Sequence, residues 1–74
     1  MAYEPHQQRV VDEKTALDDK HNKLRDFLGR DDFVSIVSDE AERERLYRQS
    51  SIMAEYSAVL GQRIAAFPPA RSTA

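Results

Sequence analysis

The 74-residue chain contains no cysteine and no tryptophan, and only two glycines and three prolines. Without cysteine there is no disulfide framework and no thiolate metal site, and the redox compartment is left open. With 32% charged residues and so little glycine, the chain reads as helical rather than β. No apolar run approaches the ~18 residues of a membrane span, and the first residues lack the apolar core of a signal peptide. A soluble cytoplasmic chain with no membrane partner is expected. Charge of one sign is also missing: 11 Lys and Arg stand against 13 Asp and Glu, for a net charge of -2. A dedicated duplex nucleic-acid binder would carry a clear basic excess, so that class is set aside.

What remains is charged and helical in pattern. Val10, Leu17 and Leu24 fall seven residues apart, and Val11, Phe27 and Leu28 widen the stripe. Pro5 suits a first helical turn, where its missing N–H costs nothing, and Glu4 lies at the positive end of the helix dipole. A helix over about 5–28 follows, roughly 35 Å long at ~1.5 Å per residue. Gly29 is expected to end it in the left-handed C′ position. In the segment "RDDFVSIVSDEAERERL", Asp31 or Asp32 would cap a short helical turn over about 32–37, with Phe33, Ile36 and Val37 facing one way. Ser38 is the expected N-cap of a second long helix over about 39–66. In that helix Leu46, Met53, Leu60 and Phe67 repeat every seven residues, with Ser50, Ser57 and Ile64 as the companion row. Pro68 and Pro69 stop it, and 68–74 reads as a flexible tail.

Two long helices joined by a short turn make an antiparallel hairpin, so the expected fold is all-α with one domain over 1–67. Pairing outward from the turn places Leu24 and Leu28 near Leu46, Leu17 near Met53, and Val10 near Leu60 and Ile64. His21 then lies over Ser50 and Lys14 over Ser57, small residues opposite long polar ones. One hairpin offers about ten stripe residues against some sixty to be ordered, too little burial for a chain of this size. Tyr47, Ile52, Tyr56 and Val59 extend the apolar surface beyond what one partner helix covers. A homo-oligomer, a dimeric bundle or higher, is therefore expected, with these four residues as its interface or as a docking face for another protein.

Few residues suggest chemistry. His6 and His21 stand fifteen apart with no HExxH or carboxylate pairing, so no metal or acid–base role is read. Asp18-Asp19, Asp31-Asp32 and Asp39-Glu40 read as solvated faces and helix caps. There is no nucleophile elbow, P-loop or Gly-rich phosphate loop, and the chain reads as a non-enzyme without a cofactor. In "ERERLYRQ", Glu44–Arg48 reads as i,i+4 support, and the arginines form an anion patch only if several chains gather them. Lys14, a cation in the seam, must snorkel, set register or meet an anion. With Tyr3, His6, Arg9 and Arg63 it falls at the open end of the hairpin, which makes these five the candidate anion-binding residues.

The segments "HQQRVVDEK" and "MAEYSAVLGQRI" give residues 5 to 67 a likeness to small helical proteins of tailed phages and prophages. More loosely, the layout is similar to the helical-hairpin family of phage anti-CBASS and anti-Thoeris proteins. It shares an N-terminal Tyr, a basic-acidic first helix, an acidic cap, and a second helix with Met and small residues ending in Arg. The "YHPP" and "MWANAAIAR" signatures of that family are absent, so its site is not transferred residue by residue. This resemblance implies an oligomer that sequesters a cyclic oligonucleotide immune signal between subunits, in the host cytoplasm. The competing expectation is a homo-oligomeric inhibitor or adaptor acting on a host defence protein or a phage protein.

Overall fold

A computed structural model describes residues 3–68. The described chain is all-helical: α1 spans Pro5–Leu28, α2 Phe33–Ile36 and α3 Glu40–Ala65. Helices α1 and α3 pack against each other as an antiparallel hairpin. The radius of gyration is 17.0 Å, against about 11 Å for a compact domain of this length. The molecule is a rod, and most of its side chains meet solvent.

The helix ends show how the chain changes direction. Pro5 opens α1, and the Glu4 N–H donates to Gln7 Oε1 at 2.9 Å, which buries Gln7. Gly29 closes α1 without a left-handed turn: its φ is -88°, and its N–H donates to the Arg25 carbonyl at 3.0 Å. The expected positive φ is not needed, because the chain continues directly into the turn before α2. Asp32 precedes α2 but does not cap it with its side chain. Its carboxylate is held instead by the Arg30 guanidinium, at 2.8 and 3.0 Å.

At the start of α3 the cap is Asp39, not Ser38. Asp39 Oδ1 accepts from the Ala41 N–H at 3.1 Å. The Ser38 carbonyl is used differently, accepting with the Val37 carbonyl from Arg43 Nη1 at 3.0 and 2.8 Å. Within α2 only Phe33 turns fully inward; Ile36 is 53% exposed, so the expected shared face of Phe33, Ile36 and Val37 does not form. A single helical turn cannot bury both Phe33 and a residue three further on against one rod end. Phe27, Phe33 and Tyr47 close that end as a chain of rings, with centroids 5.3 and 5.8 Å apart. Among the described residues the buried apolar ones are Val10, Phe33 and Leu60.

Candidate functional site

The seam between α1 and α3 carries a polar ladder. His21 Nε2 and Ser50 Oγ are 3.0 Å apart. One step toward the open end, the Ser57 hydroxyl donates to Asp18 Oδ1 at 2.5 Å, while Lys14 Nζ donates to Asp18 Oδ2 at 2.7 Å. The Lys14 stem then lies against Gly61, where an added Cβ would stand 3.3 Å from Lys14 Cε. Gly61 thus leaves room for the lysine to cross the seam. Ser50 faces His21 as expected, whereas Ser57 faces Asp18 in place of the expected Lys14, which lies one turn further along, against Gly61. Asp18 is the member that sequence reasoning missed. Its spacing of four from Lys14 fits a solvated i,i+4 pair equally well, and only the rotation of α1 about its axis distinguishes the two.

The five candidate anion-binding residues divide into groups. Tyr3 sets its ring edge-on against Phe67, centroids 6.1 Å apart at 75°, and is 47% exposed. His6 and Arg9 stand exposed on one stripe of α1, three residues apart, and Arg63 is exposed in the last turn of α3. These three make no ion pair among the described residues. Lys14 is half-buried and its charge is already met by Asp18. It lies five residues beyond Arg9, about 140° further around the helix. The antiparallel pairing does bring His6, Arg9 and Arg63 to one end, with Glu4, Asp12 and Glu13 interleaved along α1.

The residues between Glu4 and Ala66, which include both long helices, the turn and four of these five candidates, match the model of the family described as Sequestin over residues 4–66. The chain belongs to the Sequestin family. No curated protein and no solved structure matches it. The Sequestin match stops short of Tyr3 and of Phe67, so the ring pair at the open end flanks the family region.

Two hollows of the Sequestin hairpin lie on the outer surface of α3. One of about 390 Å³ is lined by Glu44, Arg45, Tyr47, Arg48 and Ser51. Another, of about 290 Å³, is lined by Arg45, Arg48, Gln49, Ile52 and Met53. Arg45 is held by Glu42 at 2.8 Å and lies 3.8 Å from Asp39. The expected Glu44–Arg48 pair is not formed among the described residues, and Arg48 lines both hollows. Tyr47 does not share a stripe with Ile52, Tyr56 and Val59. It lies five residues before Ile52, about 140° around α3, and packs on Phe33. Among the described residues no group of three His, Cys, Asp or Glu could hold a metal, and no helix is long and apolar enough to cross a membrane.

The ladder makes a testable pH dependence. The Lys14 ammonium first, and then the Ser57 hydroxyl, hold the Asp18 carboxyl below its ordinary value of 3.8. A depressed carboxylate stabilises the fold above that ordinary value and ceases to do so as pH falls through its folded-state value. Asp18→Asn is therefore expected to melt below the parent protein at pH 6. The gap should close progressively as the pH is taken below about 3.8. Thermal melts followed by circular dichroism across that range measure it, and a constant gap would remove Asp18 from the seam.

Proposed function

We propose that this Sequestin-family hairpin is a non-catalytic, phage-encoded counter-defence protein that sequesters an anionic nucleotide signal of host immunity. The observation that carries the reading is the family match over both helices, whose name denotes sequestration. The chemistry of the open end supports it. His6, Arg9 and Arg63 are exposed donors with no ion partner among the described residues, suited to phosphate oxygens. Tyr3 offers a ring already braced by Phe67, on which a base can stack. Lys14 acts from behind them, through the seam. Sequestration needs only affinity, so neither a nucleophile nor a cofactor enters the proposal. The signal would be bound in the host cytoplasm.

Titration calorimetry of cyclic di- and trinucleotides against the purified protein is the direct test. Binding should weaken by about 10–100-fold in Arg9→Ala or Arg63→Ala, the effect of losing one charge-assisted hydrogen bond. Both side chains are exposed, so circular dichroism should show unchanged helices. Absence of heat with every nucleotide would sink the reading. The second reading, an inhibitor or adaptor acting on a host or phage protein, draws on the exposed face of α3, where Ile52, Tyr56 and Val59 are 59%, 44% and 50% exposed.

A further inference from the structure

We infer that Asp18 is a positioning residue that fixes the axial register of the hairpin, excluding a second register, one heptad away, that the apolar stripes alone would accept. The stripes repeat every seven residues on both helices, as Val10, Leu17 and Leu24 on α1 and as Leu46, Met53 and Leu60 on α3. Such a repeat matches itself again after a slide of seven residues, about 10 Å along the rod. Counting along the observed register sets Leu24 opposite Leu46, Leu17 opposite Met53 and Val10 opposite Leu60. Sliding α3 so that its later residues come abreast of α1 gives as many apolar pairs. Leu24 then meets Met53, Leu17 meets Leu60, and Val10 meets Phe67 just past the end of α3. Sliding it the other way sets Leu24 opposite Asp39 and loses a pair. Apolar burial therefore rejects one slide and is indifferent to the other.

The polar ladder breaks that tie. In the observed register Asp18 accepts from Ser57 at 2.5 Å and from Lys14 at 2.7 Å, and His21 meets Ser50 at 3.0 Å. After the slide His21 finds Ser57 in place of Ser50, so its contact is replaced in kind. Lys14 travels with Asp18 on the same helix, and its stem exchanges Gly61 for Pro68. Asp18 is the group that loses. Its place opposite Ser57 passes to Ile64, and a half-buried carboxylate oxygen is left against a branched apolar side chain without its donor. One polar group in a helical seam can specify register in this way, at some cost in stability.

The closed end resists the same slide by different means. Moving the helices by a heptad shifts the centre of the turn by about half a heptad, which would pull Phe33 from between Phe27 and Tyr47. Phe33 thus holds the register from the turn, and Asp18 holds it from within the seam. Register in turn decides which side chains share the open end. Counting from the His21–Ser50 and Lys14–Gly61 contacts, Arg63 stands abreast of Arg9, and the slide would carry it about 10 Å away. That consequence rests on the nucleotide reading above, whereas the register itself does not.

The chain has no cysteine, so two introduced ones report on register without interference. Gln8→Cys and Gln49→Cys, both at exposed positions, carry spin labels for double electron–electron resonance. Dilution into excess unlabelled chain restricts the reading to distances within one chain. The slide lengthens this separation by about 10 Å. The parent is expected to give one separation, and so is Asp18→Asn, which keeps an acceptor for Ser57 although it melts lower. Asp18→Leu should add the longer separation in at least about a tenth of the molecules. Asp18→Ala should do the same, and it decides the matter if circular dichroism shows that the leucine variant is unfolded. Phe33→Ala, with the ladder intact, should keep the parent separation wherever it is folded. An Asp18 that merely stabilises would lower the melting temperature in its variants and leave the separation single, and that result overturns the inference. Slippage in Phe33→Ala with Asp18 present overturns it equally. The measurement uses no nucleotide, so its failure is distinct from a failure of the titration.

Discussion

Leu60→Ala is expected to destabilise the hairpin by about 2–5 kcal/mol, the usual result of cutting a buried leucine down to a methyl group. Leu60 is 0% exposed, and it is one of the few fully buried apolar residues between the helices. Its removal leaves a hole that neighbours on a two-helix seam can refill only by drawing α1 and α3 closer. The adjacent turns already approach closely through Ser57 and Gly61, so little further collapse is available. A domain of this size has on the order of 4–11 kcal/mol in total. The loss should lower the melting temperature by roughly 10–30 °C. Parent and variant are compared at equal protein concentration, since any self-association makes melting concentration-dependent. Val59→Ala, one residue earlier but 50% exposed, serves as the control. It should leave the melting temperature nearly unchanged.

That adjacent pair also shows why so much of the fold was legible in the sequence. Leu60 belongs to a seven-residue repeat shared with Leu46 and Met53, whereas Val59 lies off it. Period alone therefore separates a core leucine from a surface valine. The same repeat in α1 sets Val10, Leu17 and Leu24 on the seam, and the pairing of His21 with Ser50 follows from counting outward from the turn. The details at the ends were less legible because one-residue choices there depend on local geometry. Asp39 rather than Ser38 caps α3 because the Arg43 guanidinium draws on the Val37 and Ser38 carbonyls, fixing the chain one residue later. The site was the least legible part. Residue types at the open end suggest an anion, but the i,i+4 spacing of Lys14 and Asp18 does not say whether that pair is solvated or turned into the seam. The five-residue spacing of Tyr47 and Ile52 already sets them about 140° apart on α3, but only the placed turn shows that Tyr47 packs on Phe33.

Tyr47 leads to the second large effect. Phe33→Ala is expected to cost about 3–5 kcal/mol, as for other buried phenylalanines. Phe33 is 2% exposed and sits between Phe27 of α1 and Tyr47 of α3, in an edge-on contact with the first and a tilted one with the second. It is the only residue of the four-residue α2 that is buried, so it anchors the turn to both long helices at once. An isolated turn of that length has no stability of its own. Without the ring, α2 should detach, and Phe27 and Tyr47 should lose their shared partner. Hydrogen exchange at the amides of Ile36 and Val37, which bond to the Asp32 and Phe33 carbonyls, should rise toward the unprotected rate. Exchange near Leu60 should rise only as far as global stability falls. If the two regions lose protection equally, the closed end and the seam unfold as one unit. If only α2 opens, the hairpin is held by its polar and apolar seam, and the ring cluster serves to set where the chain turns.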